Sequence, residues 1–206
     1  MHLDESAILW SAPERARAQR PLLVLMHGFG SHEGDLFAMS PGLPLAPVIA
    51  SIRAPIAQGG GWAWFPFGVS AGEPNPVDVD DAARAIIAWL DGLEYTSVSL
   101  LGFSQGAAMA LQLLRHAPTR FAATVTLSGF VVGSEHPGDG ELAAARPKVF
   151  WGRGTNDLVI PSTAIDRTAL WLEGHADATT RIYEELGHSI SPEELRDFVG
   201  FLAENT

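Results

Sequence analysis

The chain reads as an α/β protein, with helices on both faces of a mostly parallel central sheet. Two patterns lead there. Short runs rich in Leu and Val are apolar almost without interruption, which fits strands buried on both faces. Between them fall stretches with apolar residues at three- and four-residue spacing, and alternating strand and helix patterns build parallel sheets.

Taken in order, strands are expected at "PLLVLMH" (21–27), "APVIASI" (46–52), "SVSLLGF" (97–103), "AATVTLS" (122–128), "PKVFWG" (147–152) and "TTRIYEE" (179–185). The first helix is expected in "VDVDDAARAIIAWLDGL", with Asp78 or Asp80 as N-cap, apolar residues at 82, 86, 89, 90 and 93, and Gly92 near its end. "SQGAAMALQLLRHAP" gives a second helix, stopped by Pro118, and "PSTAIDRTALWLEG" a third, from Pro161 to Gly174. "SPEELRDFVGFLAEN" opens with Ser191, Pro192 at N1 and Glu194 at N3, a capping-box arrangement. The segment "QGGGWAWFPFGVSAGEPNP" (58–76) fits neither period and reads as a long loop crowded with Trp62, Trp64, Phe65 and Phe67. Those aromatics either cover the sheet edge or wall a pocket. The triple glycine at 59–61 lacks the Lys-Ser/Thr of a phosphate loop and reads as a flexible hinge.

The 206 residues support one sizeable core, so 1–206 is read as a single domain. Apolar residues make up 47% and charged residues 18%, a globular composition. A formal net charge of −11 sets the overall field against phosphate backbones and anionic membranes, so no nucleic-acid partner is expected. The absence of cysteine removes disulfides, thiolate nucleophiles and thiolate-ligated metals together. The histidines show no H-E-x-x-H spacing and no cysteine is present, so a zinc site is not expected; no other cofactor is expected. "MHLDESAILW" has neither a basic start nor a long apolar stretch, and no run approaches a membrane span. A soluble, cytoplasmic protein without stable membrane insertion is the expectation.

Chemistry concentrates in "LLGFSQGAAM". Gly102-Phe103-Ser104-Gln105-Gly106 fits G-x-S-x-G, with a buried strand leading in and an alanine-rich helix leading out, the context of a nucleophile elbow. Ser104 then stands at a helix N-terminus, where amides without intrahelical partners favour developing negative charge. A serine hydroxyl needs an imidazole to take its proton, itself oriented by a carboxylate, and on this fold the chain order is Ser, Asp or Glu, His. His188 follows the last strand and precedes the capped helix. His175 sits at a helix exit on the opposite end of the sheet, and His116 at the far end of the helix that Ser104 starts. Asp157 lies in the loop after "PKVFWG"; Asp166 is inside a helix, Asp177 leads into a strand, and Asp139 precedes one in a glycine-rich loop. The amide of Gln105 is one expected oxyanion donor, and Phe29 N–H, between Gly28 and Gly30, the other. His27 either braces this loop through hydrogen bonds or is a buried structural histidine.

"HGFGSHEGDL", "GWAWFPF", "GFSQGAAMAL", "GRGTNDLVIP" and "ELGHSI" resemble, in order and over nearly the whole chain, the blocks of the phospholipase/carboxylesterase group of small serine esterases in the α/β-hydrolase superfamily. "GFSQG" and the GxxDxxxP block (Gly154, Asp157, Pro161) are its more specific signatures. The resemblance implies an α/β-hydrolase sandwich, a Ser104–Asp157–His188 triad, a Phe29/Gln105 oxyanion hole, and hydrolysis of small-molecule carboxylic esters without a lid or a metal. The loop after "HGFG" reads "SHEGDL", as in the bacterial esterases of the group, rather than the extended version of the protein-depalmitoylating enzymes. Phe29, Trp62, Trp64, Phe130 and Leu158 are candidate walls of the acyl or alcohol pocket. Thioesterase, lysophospholipase and perhydrolase activity on the same machinery, a non-catalytic ligand-binding role, and a homodimer stay open.

Overall fold

The computed structural model describes residues 1–44, 46–66 and 72–206. Its main sheet runs in the order β1-β3-β2-β6-β7-β8-β9, built from β1 (Leu9–Trp10), β2 (Leu22–Met26), β3 (Val48–Ile52), β6 (Val98–Phe103), β7 (Phe121–Leu127), β8 (Lys148–Gly154) and β9 (Asp177–Tyr183). Only β1 pairs antiparallel, with β3; every other neighbouring pair is parallel. The helices are α1 (Gly34–Phe37), α2 (Pro76–Asp91), α3 (Gln105–His116), α4 (Asp139–Ala145), α5 (Ser162–His175) and α6 (Pro192–Asn205). None of the described helices is long and apolar enough to cross a membrane.

The continuous apolar runs are explained by two cores. Alternate strand residues face opposite ways, so Leu22, Val24 and Met26 join Val79, Ile86, Met109 and Leu172 from α2, α3 and α5. Leu23 and Leu25 turn to the other face and meet Leu36 of α1 and Phe198, Phe201 and Leu202 of α6. The edge strand β9 is largely exposed. The register sets Met26 beside Gly102, Phe103 beside Leu127, Leu127 beside Gly152 and Gly154 beside Tyr183. The chain therefore leaves β2, β6, β7, β8 and β9 along one rim, where open α/β sheets carry their ligands.

Several local expectations need correction. Helix α2 starts earlier than Asp78 or Asp80: Asn75 caps it, its side chain accepting from Val77 N–H at 3.1 Å, with Pro76 in the first turn. Asn-Pro satisfies one end donor and removes another, so it outcompetes the downstream aspartates. The segment at 58–76 is not wholly irregular, because β4 (Ile56–Gln58) and β5 (Gly61–Ala63) pair as a hairpin. Gly59 and Gly60 form its two-residue turn with φ of 56° and 90°, a geometry that favours glycine. The triple glycine is thus a tight turn and not a hinge, and a Cβ on Gly61 would stand 1.9 Å from the Gly30 carbonyl oxygen. Phe67 lies outside the described residues. Asp139 belongs to the first turn of α4, not a loop, and binds Arg115 through both carboxylate oxygens at 2.7 Å.

The capping box of α6 is half formed. Ser191 Oγ accepts from Glu194 N–H at 3.0 Å, but the Glu194 side chain turns inward and is fully buried. Gly152 of β8 makes room, since a Cβ there would lie 2.2 Å from Glu194 Oε1. Neither carboxylate oxygen has a hydrogen-bond partner among the described residues. Burial pushes this carboxyl up to about 7, with the Asp197 charge adding to the rise. A carboxyl raised in the folded state is neutral in both states at low pH; as pH climbs, the unfolded chain ionises first and folding loses free energy until the folded group ionises too. Replacing Glu194 by Gln removes this dependence. In urea titrations, the stability of Glu194→Gln relative to wild type should grow by about 3 kcal/mol between pH 4 and pH 8; a constant difference would show that Glu194 keeps an ordinary carboxyl.

Candidate active site

Ser104 occupies the turn between β6 and α3 at φ 54° and ψ −115°, a sparsely populated conformation that costs on the order of 1–3 kcal/mol. Its surroundings hold it there. Ser104 N–H donates to the Leu127 carbonyl at 2.8 Å, and the Ser104 carbonyl accepts from Ala107 and Ala108 N–H at 3.0 Å. The two glycines of the motif are space requirements: a Cβ on Gly102 would lie 2.2 Å from Gly106 O, and one on Gly106 would lie 2.0 Å from Met26 O. Strand and helix close to backbone contact, and the Ser104 hydroxyl stands on the rim.

Two loops reach it together. Thr155 N–H donates to Tyr183 O at 3.0 Å and Asn156 N–H to Leu186 O at 2.9 Å, zipping the loop after β8 to the loop after β9. A Cβ on Gly154 would sit 1.9 Å from Leu186 O, so this crossing also needs glycine. The zipper sets Asp157 beside His188. His188 Nδ1 lies 2.7 Å from Asp157 Oδ2, and His188 Nε2 lies 2.9 Å from Ser104 Oγ. Phe103 braces the imidazole, with ring centroids 4.9 Å apart.

The Asp157 carboxylate is buried, its side chain 2% exposed. Burial alone would raise its pKa, but the His188 hydrogen bond and the amides of Val159 and Ile160 outweigh it and hold it below the usual carboxylate range. Those amides donate to Oδ1 at 2.9 and 3.2 Å. Oδ2 is left to His188, which fixes Nδ1 as the protonated nitrogen and turns the Nε2 lone pair toward the hydroxyl.

The opposite wall is the loop after β2. His27 unites the two roles left open for it: it is fully buried and also braces the loop. Its Nδ1–H donates to Gly28 O at 2.8 Å and its Nε2 accepts from Ala54 N–H at 3.1 Å, while burial depresses its pKa and keeps the ring neutral. Gly30 N–H donates to Trp62 O at 2.9 Å and Trp62 N–H to Ser31 O at 2.8 Å. The loop carrying Phe29 is therefore stitched to β5. The Gln105 side chain completes the frame: Oε1 accepts from Trp64 N–H at 2.7 Å and Nε2 donates to Phe65 O at 2.8 Å. Sequence reasoning singled out only the amide of Gln105, because a clamp onto residues some forty positions upstream leaves no local pattern.

These walls enclose a cleft of about 300 Å³ containing Ser104 and His188, lined by Phe29, Phe65, Phe103, Phe130 and Ile160 among others. Of the expected pocket residues, Phe29 and Phe130 line it. Trp64 does not: it is fully buried behind the wall, its Nε1–H donating to His27 O at 2.8 Å. Trp62 is not part of the lining either, and the Arg53 guanidinium covers its ring, 4.8 Å from the centroid. Leu158 points to solvent at 96% exposure, because the turn that aims Asp157 inward sends the next side chain out. Among the described residues, no group of three metal-ligating side chains lies in this cleft.

Comparison with known proteins agrees with this architecture. The family model described as Phospholipase/Carboxylesterase matches residues 12–206. An acyl-protein thioesterase 1 of Kluyveromyces lactis is 28% identical, the alignment covering 92% of this chain and 93% of that protein. The crystal structure of esterase PE8 superposes with a TM-score of 0.80 at 27% identity, covering all of both chains. The Bacillus cereus carboxylesterase shares the fold, with a TM-score of 0.81 at 20% identity over 97% of this chain and 94% of that one. The chain belongs to the phospholipase/carboxylesterase family.

Proposed function

We propose that the protein is a serine carboxylesterase that hydrolyses small carboxylic esters through an acyl-enzyme on Ser104. The observation that carries this reading is the continuous hydrogen-bonded chain from Ser104 Oγ through His188 to Asp157, set in an apolar cleft. Ser104 Oγ attacks the ester carbonyl carbon as its proton passes to His188 Nε2. The imidazolium is stabilised by Asp157, whose depressed pKa keeps it ionised. The tetrahedral oxyanion is received by the main-chain N–H groups of Phe29 and Gln105. Collapse breaks the bond to the leaving alcohol, which takes the proton from Nε2. Water then enters, gives a proton to Nε2, attacks the acyl carbon, and Ser104 leaves with that proton restored.

Thioester hydrolysis on the same residues is the second reading, favoured by the name of the Kluyveromyces lactis relative. Turnover of p-nitrophenyl esters from acetyl to palmitoyl, measured beside thioesters of the same acyl groups, tests both. The proposal expects kcat/KM to be higher for the esters. Faster turnover of every thioester would favour the second reading, and no turnover of either class would remove both.

A further inference from the structure

A second cluster of chemically able side chains lies at the other end of α3 from Ser104, roughly 18 Å away along the helix. Asp80 projects from α2, His116 is the last residue of α3, and His136 lies between β7 and α4. Asp80 Oδ1 is 3.0 Å from His116 Nε2 and 3.9 Å from His136 Nε2. The three ligand atoms lie within 4.8 Å of one another, and the two imidazoles meet edge to face at 4.5 Å between centroids. We propose that Asp80, His116 and His136 form a binding site for a divalent transition-metal ion of the zinc class, with water as fourth ligand.

The chemistry suits such an ion. Tetrahedral zinc sits about 2.0–2.1 Å from each nitrogen and oxygen ligand, which separates neighbouring ligand atoms by roughly 3.3 Å, between the two distances found. Imidazoles paired with a carboxylate favour zinc-like ions over magnesium or calcium. All three side chains are 12–23% exposed, so an ion can enter and still be partly shielded. Gln112 Nε2 donates to Asp80 Oδ1 at 2.6 Å, fixing the carboxylate from the adjoining turn of α3.

Two bonds must give way. His116 Nε2–H faces Asp80 Oδ1 at 3.0 Å, so coordination by both atoms moves that ring proton to Nδ1 and replaces the hydrogen bond with the ion. His136 Nδ1 accepts from Gly138 N–H at 3.1 Å, which places the ring proton on Nε2. Coordination through Nε2 moves that proton to Nδ1 and releases the Gly138 amide, so the turn at 136–138 shifts as the metal enters. The ion then ties α2, α3 and the segment leading back to Phe130. No sequence spacing reveals the site, because its ligands come from three separate elements.

The test titrates untagged wild-type protein with zinc chloride by calorimetry and with cobalt chloride by visible absorption. One ion per chain, a raised melting midpoint, intense four-coordinate cobalt bands and unchanged p-nitrophenyl acetate turnover are expected. Asp80→Asn, His116→Gln and His136→Gln should each weaken binding about tenfold or more. Absence of saturable binding, or binding unaffected by both histidine variants, overturns the proposal. Should a variant fail to fold, zinc-edge X-ray absorption on the wild type decides: a shell of two imidazole nitrogens and oxygens supports the site, and any other shell rejects it.

Discussion

Ser104→Ala should lower kcat for a p-nitrophenyl ester by roughly 10⁶-fold, because removing a triad nucleophile costs about as much as removing the whole triad. The fold should survive. Ser104 is 8% exposed and its hydroxyl meets His188 at the cleft surface, so alanine removes one hydrogen bond and leaves no buried orphan. Alanine also keeps the main-chain bonds of the turn, including Ser104 N–H to Leu127 O. The positive φ of 54° is strained for serine and alanine alike, so the melting midpoint should change little. Residual hydrolysis above the uncatalysed rate should persist from binding and the oxyanion donors. Activity near that of wild type would show that another group performs the attack.

Asp157→Asn should lower kcat about 10⁴-fold with little change in KM. The size follows from the tautomer. Asp157 Oδ1 accepts from two amides, Val159 and Ile160, so an asparagine places its oxygen there and turns its NH₂ toward His188. His188 Nδ1 must then accept, its proton moves to Nε2, and no lone pair faces Ser104 Oγ. The packing of the loop is unchanged, so the substrate cleft should bind as before. A variant with large losses in KM and stability instead would mean that Asp157 acts mainly by holding the loop.

The sheet was legible because β2, β3 and β6 are buried on both faces, leaving apolar runs that no amphipathic helix would give. The convergence of Ser104, Asp157 and His188 was legible for a related reason: each follows a strand of one parallel sheet, and parallel strands end on the same rim. The short elements were not. β1 and α1 are too brief to show a period, and the β4–β5 hairpin was hidden in an aromatic stretch whose glycines looked flexible until the positive φ of Gly59 and Gly60 placed them in a turn. Pocket walls were half legible. Aromatic character marks the segment containing Phe65, but an irregular loop has no period to say which side chain turns inward, so the choice between wall and cover for Trp62 and Trp64 stays open in the sequence. Leu158 fails similarly, since Val159 and Ile160, the next two residues, line the cleft. The Gln105 clamp and the Asp80–His116–His136 cluster depend on tertiary proximity alone.

The most direct test of the account is intact and peptide mass spectrometry after reaction with an organophosphonate ester, using wild type and His188→Ala. The account predicts one phosphonyl group per chain, located on Ser104, with labelling markedly slower once His188 is gone. A label on a different residue, or none while ester turnover continues, would contradict it.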